Sequence, residues 1–167
     1  YKYSDFGILF RMNNQSQPIE ELLRTNNIPY KVIGATKFFE RPEIKDILSY
    51  MRFIANMEDE VSLTRIINTP KRGIGNATIT AIMQHAKETN SSMYCSIRDF
   101  VRLGILGPKT TPYLEDFYNL IEKYREQIFK PRNIARTVSN LVDEIDYKGK
   151  LLLEVKDPKS VQYKMRN

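Results

Sequence analysis

The sequence predicts a mainly α chain: a helical domain containing a helix-hairpin-helix-like turn, preceded by a small βαβ piece of α/β type. Three observations carry this expectation. From Pro42 onward, apolar residues recur every three or four positions, the period of helices that bury one face. Before that, two short apolar runs, 5–10 and 28–33, flank an amphipathic stretch, the order of a βαβ unit. Between two of the later helical patterns lies Thr69-Pro70-Lys71-Arg72-Gly73-Ile74-Gly75-Asn76, where turn residues meet positive charge. The expected division is a βαβ edge over 1–36 and a helical domain over 37–167, truncated at its C-terminal end.

Each element follows from its residues. Asp5-Phe6-Gly7-Ile8-Leu9-Phe10 suits a buried strand, and the polar loop Arg11 to Gln17 follows it. Pro18 stands at a helix start, Ile19, Leu22 and Leu23 form one face, and Asn26-Asn27 ends the helix. Ile28 to Ile33 reads as a second strand, parallel to the first through a right-handed crossover. Parallel pairs are rarely left alone, so this unit is expected to be the edge of a larger sheet lying partly outside the chain. Arg11, Asn13 and Gln15 would sit beyond the carboxyl end of the first strand, where open sheets bind ligands. They could hold a phosphate or a base edge, or form a satisfied polar turn.

In the helical part, Ile44, Ile47, Leu48, Met51, Ile54 and Ala55 mark one helix that starts at Pro42-Glu43. Glu58-Asp59-Glu60 opens the next, matching the positive end of its dipole. Met93 to Val101 suggests another helix, and Gly104 to Pro108 a loop. Leu114, Phe117, Tyr118, Ile121, Tyr124 and Ile128 mark a long helix, and Ile134, Val138, Leu141, Val142 and Ile145 the one after it. The aromatic residues on these stripes read as core. A final helix begins near Ser160, after the break at Asp157-Pro158. It runs off the end uncapped, as an excised piece would.

The central turn has its own chemistry. Leu63, Ile66 and Ile67 precede it at helical spacing, and Ile79, Ile82, Met83 and Ala86 follow. Glycine tolerates positive φ and bares its N–H, while Ile74 between two glycines can point inward as an anchor. Asn76 suits the N-cap of the following helix, whose first-turn N–H groups and dipole favour an anion. Nucleic acid supplies phosphates, and Lys71 and Arg72 add charge beside them. The same residues could instead form a plain interhelical loop with two solvated cations.

Composition bounds the function classes. The chain has 167 residues, 41% of them hydrophobic and 28% charged, with a net charge of +6. That is a globular composition long enough for a real core, and its basic balance suits a polyanionic partner. No run reaches the ~18 apolar residues of a membrane span, and residues 1–20 lack a signal-peptide pattern, so a cytoplasmic address with no membrane partner is expected. Cys95 and His85 are single. They leave little material for a disulfide, a structural metal site or a nucleophile–histidine pair, so no catalytic and no metal-binding residue is expected. No G-x-x-x-x-G-K-[ST] exists, and Gly73-Ile74-Gly75 does not extend to G-x-G-x-x-G, because position 78 is Thr. Nucleotide hydrolysis and a resident cofactor are not expected of this chain.

Four stretches together resemble a known family. These are Gly7 to Ser16, with Arg11, Asn13 and Gln15; Asn27 to Gly34; Lys37-Phe-Phe-Glu-Arg41-Pro-Glu-Ile-Lys-Asp-Ile-Leu48; and Ile66 to Gly75. In this order they look like UvrD/Rep/PcrA-type superfamily 1 DNA helicases. The resemblance implies that residues 1–36 belong to the second RecA-like motor domain, subdomain 2A, and the rest to most of the helical insertion, subdomain 2B. It implies a parent that hydrolyses ATP with Mg2+, the P-loop lying outside this chain, and moves 3′ to 5′ along single-stranded DNA. Its partners would be a single-strand/duplex junction and the other helicase subdomains. By the same resemblance, Gly73, Ile74 and Gly75 hold duplex backbone, with Thr69, Lys71, Arg72 and Thr78 as phosphate neighbours. Arg11 and Asn13 would face the single strand, and Lys37 and Arg41 are further candidates. Gln17 stands where the family has Arg, and Gly34-Ala35 where it has Gly-Gly.

Two alternatives belong to other classes. A helix-hairpin-helix repair enzyme would need a catalytic Lys or Asp after the hairpin, and Lys87 is poorly placed for that role. A helical protein-interaction module would use Gly73 to Gly75 only as a turn and set its basic face against an acidic partner.

Overall fold

A computed structural model describes residues 1–12, 15–33, 40–128, 130, 134–155 and 158–165. The chain divides into two compact units, Tyr1–Arg41 and Pro42–Asn167.

In the first unit a 3-10 turn, Tyr3–Asp5, precedes helix α1, Ser16–Thr25. The Gln15 side-chain oxygen accepts from the N–H groups of Arg11 and Met12 at 3.1 and 3.2 Å, which folds the polar loop onto the helix start. At the other end Asn27 takes φ 53°, and the Ile28 N–H closes on the Leu23 carbonyl at 2.8 Å. The helix of the expected βαβ unit is therefore present, but its strands are not: no strand forms among the described residues. A strand is held by ladder bonds from a neighbour, and neither run has one here. Several of their apolar side chains stand in solvent, with Ile8 at 56%, Leu9 at 98% and Ile33 at 82% exposure, while Phe10, Ile28 and Val32 are half-buried.

The second unit is helical throughout its described length. It holds α2 (Pro42–Ala55), α3 (Glu60–Ile66), α4 (Asn76–Glu88), α5 (Met93–Leu103), α6 (Thr111–Ile128), α7 (Ile134–Glu144), α8 (Tyr147–Glu154) and α9 (Pro158–Met165). Helix α3 packs on α2 and α4 on α5, while α6 touches both α2 and α5. That makes α6 the bridge between two helical pairs. Its inward residues Leu114, Phe117, Ile121 and Tyr124 are buried, as the spacing predicts. They join Tyr50, Phe53, Leu63, Ile66, Ile82 and Ile97 in one core. Helices α7, α8 and α9 continue the stack from α6 in order. Helix α8 carries no separate signal in the sequence. Asp146 starts it, accepting from the Gly149 N–H at 3.1 Å.

The face that α2 buries is shifted from the expected one. Ile54 is in the core and Ile47 and Met51 pack against it as expected, but Ala55 is exposed and polar residues are buried beside them. Glu43, Asp46, Ser49, Tyr50, Phe53 and Ile54 are the buried residues, whereas Ile44, Ile47, Leu48 and Met51 are half-buried. The reason is a polar clasp at Asp46. One carboxylate oxygen accepts from the Arg65 guanidinium at 2.7 Å, and the other from the Tyr147 hydroxyl and the Lys150 ammonium, both at 2.6 Å. Burial works to raise the Asp46 carboxyl, and these bonds outweigh it and hold the group below its ordinary range. A carboxylate with this many donors can be buried, and it ties α2, α3 and α8 together. No helix among the described residues is long and apolar enough to cross a membrane.

Candidate nucleic-acid interface

The turn between α3 and α4 is built from its ends inward. Helix α3 starts under an Asp59 cap, whose carboxylate accepts from the Ser62 N–H at 3.0 Å, and ends at Ile66. Ile74 is fully buried, so the middle of the turn is anchored on the core as the Gly-Ile-Gly pattern predicts. On either side Gly73 and Gly75 remain exposed.

The two glycines do different work. Gly73 has φ +81°, a backbone region that side chains rarely adopt, and the Tyr113 ring lies against it. Gly75 has φ −83° and ψ 167°, ordinary extended backbone, with open space where a β-carbon would go. It is Gly75 and not Asn76 that caps α4: the Gly75 carbonyl accepts from the Ile79 N–H at 3.2 Å, and Asn76 is the first helical residue. Glycine has no side chain to turn back, so the N–H groups of Asn76, Ala77 and Thr78 are left without a side-chain cap. Helices α3, α5 and α8, by contrast, are closed by Asp59, Ser92 and Asp146. The open start of α4 therefore presents donors and the positive end of a dipole to solvent.

The two cations of the turn part company. Lys71 is exposed, free to place its ammonium near an anion. Arg72 turns inward. Its guanidinium donates to the Ile66 and Pro70 carbonyls at 3.2 Å each and to the Tyr50 hydroxyl, and it lies over the rings of Tyr50 and Phe117 at 5.8 and 5.6 Å. The Tyr50 hydroxyl in turn donates to the Thr69 carbonyl at 2.6 Å. Burial pushes the Tyr50 phenol up to about 12, against the opposing pull of Arg72, so the donor stays protonated through the neutral range. Sequence reasoning missed Tyr50 and Tyr113, because nothing local to residue 50 or 113 signals a contact with residues 69–73.

Of the other sequence-predicted residues, Thr69 and Thr78 lie half-buried at the two ends of the turn. A surface concavity of about 440 Å3 beside it is lined by Lys71, Arg72, Gly73, Tyr113 and Asp116. Arg11 is exposed and Arg41 partly exposed in the first unit, while Asn13 and Lys37 lie outside the described residues. His85 and Cys95 sit in structural surroundings. The His85 ring lies 3.1 Å from the Ser96 hydroxyl and edge-on to Phe100, and Cys95 is a free, partly exposed thiol.

Residues 1–161 match the UvrD-like helicase C-terminal domain. The chain belongs to that family. It is similar to the ATP-dependent DNA helicase PcrA of Staphylococcus epidermidis strain ATCC 35984, 43% identical over 145 residues, which cover 86% of this chain and 19% of that protein. PcrA of Staphylococcus aureus strain Mu50 is 41% identical over the same shares. This UvrD-like chain thus spans 19% of the length of the relatives it matches. The open α4 start, the bared glycines and Lys71 are therefore features of a helicase accessory region, within a family whose named members act on DNA.

Proposed function

We propose that this chain grips the backbone of duplex DNA ahead of the fork for an ATP-dependent helicase that moves 3′ to 5′ along the single strand. Residues 37–167 serve as most of subdomain 2B, and residues 1–36 as a βαβ edge of the RecA-like 2A motor domain, its strands completed by neighbours elsewhere in the parent. ATP and Mg2+ act in the parent outside this chain, whose sequence has no G-x-x-x-x-G-K-[ST]. The work takes place in the cytoplasm.

One observation carries the reading: the uncapped N–H groups of Asn76, Ala77 and Thr78 open beside exposed Gly73, Gly75 and Lys71. Backbone donors at a helix start suit a phosphate oxygen, carry no base preference and need no side chain in the way. Thr69 and Thr78 flank the same spot, and Arg72 stands behind it. Arg11 and Asn13 serve the single strand, with Lys37 and Arg41 as additional candidates for DNA contact.

Fluorescence anisotropy of the chain against a labelled duplex with a 3′ single-stranded tail tests this. The expected result is binding that ignores base sequence and weakens linearly on a logarithmic salt scale, by a slope of about 0.9 per phosphate neutralised. Absence of binding at low salt would overturn the gripping role.

A further inference from the structure

We infer that Arg72 is the residue that positions the turn rather than one of its phosphate contacts, with Tyr50 as its partner; the inference rests on the duplex-gripping reading of the same turn. Three carbonyls of the turn, those of Ile66, Thr69 and Pro70, converge on this pair. Ile66 is the last residue of α3; its carbonyl accepts from the Thr69 N–H at 3.0 Å and has a second lone pair to offer, for which a cation is the favoured partner at a helix C-terminus. The Arg72 N–H is held as well, by the Asn68 side-chain oxygen at 2.7 Å. The guanidinium also lies within cation–π distance of the Tyr50 and Phe117 rings, which come from α2 and α6.

The consequence falls on the next residues. Arg72 fixes the chain before Gly73, and buried Ile74 fixes it after. The backbone at exposed Gly73 and Gly75, on either side of Ile74, is thereby held in place before any phosphate arrives. Such preorganisation raises affinity by removing an ordering cost. The planar fork splits this work between two nitrogens, one serving both carbonyls and the other the hydroxyl, a spread that a compact lysine ammonium does not reproduce.

The test compares the chain with its Arg72→Lys, Arg72→Gln and Tyr50→Phe variants. It reads duplex affinity across a salt series and amide exchange at Thr69, Arg72 and Ile79, whose N–H groups are bonded in the turn. Arg72→Lys and Tyr50→Phe should each weaken binding about three- to tenfold, the worth of one hydrogen bond, with the salt slope unchanged. Exchange at the three amides should quicken in both while α5 amides keep their rates.

Wild-type affinity and exchange in Arg72→Lys would overturn the inference. So would an Arg72→Gln slope lower by about 0.9 with Arg72→Lys unaffected, the mark of a direct phosphate contact. Faster exchange without weaker binding would reduce the brace to a stabilising role and would also overturn it. If the unaltered chain does not bind duplex, the gripping reading fails by itself, and unchanged exchange in the variants would then dispose of the brace separately.

Discussion

The Tyr113 ring covers Gly73 so closely that a β-carbon at Gly73 would lie 3.0 Å from two of the ring carbons. Tyr113 lies in the first turn of α6 and Gly73 is exposed in the turn between α3 and α4, so the bridge helix and that turn share this contact. It has a measurable consequence. Gly73→Ala must place a side chain at φ +81° and push on the ring. Tyr113 is 48% exposed and can swing aside, so the backbone dominates the cost. Loss of about 1–2 kcal/mol is expected in urea unfolding, the penalty of one left-handed residue. An unchanged midpoint would contradict the assigned conformation.

Ile74 separates stability from binding. It is fully buried and belongs to the same core as Ile66, Ile67 and Ile82. Ile74→Ala should cost about 2–5 kcal/mol, and Ile74→Val about 0.5–1.5 kcal/mol, in the same unfolding experiment. Equal, small losses in both would show that the side chain is not packed.

The clasp at Asp46 predicts the acid limb of stability. Its carboxyl is held below the ordinary range, so the native state binds this proton less readily than the unfolded chain does. The stabilisation is therefore present above the unfolded value of about 4 and is lost as pH falls through the lower native value. Asp46→Asn should flatten the fall in melting temperature below pH ~4 while lowering it at neutral pH. A parallel acid limb in the variant would place the titration elsewhere; Glu144, held low by Lys123 and Tyr124 against its burial, is the next group to replace.

Much of this was legible in the residues. The stripe of α6 and the inward Ile74 both follow from spacing, because a helix period and a Gly-x-Gly turn are local facts. The buried face of α2 was not, since it is set by Arg65, Tyr147 and Lys150, the last of them 104 residues from Asp46. The Arg72 brace was hidden for the same reason: its Tyr50 partner lies 22 residues away on another helix. Residues 28–33 have strand composition, yet a ladder needs a neighbour that composition cannot supply. Asn76 is a good cap by type, but the extended backbone falls one residue earlier, at Gly75.

The most direct test of the gripping role is the duplex affinity of Gly75→Ala. Gly75 has ordinary extended backbone and open space around it, so the substitution is sterically free. Reduced freedom in the unfolded chain gains about 0.4–1 kcal/mol, and the poorer N-cap gives back a similar amount, so the melting temperature should barely move. The new methyl stands where a phosphate must approach the first N–H groups of α4. Duplex binding weakened about tenfold at unchanged stability is the result the account predicts, the scale of one lost charge-assisted hydrogen bond. Wild-type affinity in a folded Gly75→Ala chain would contradict it.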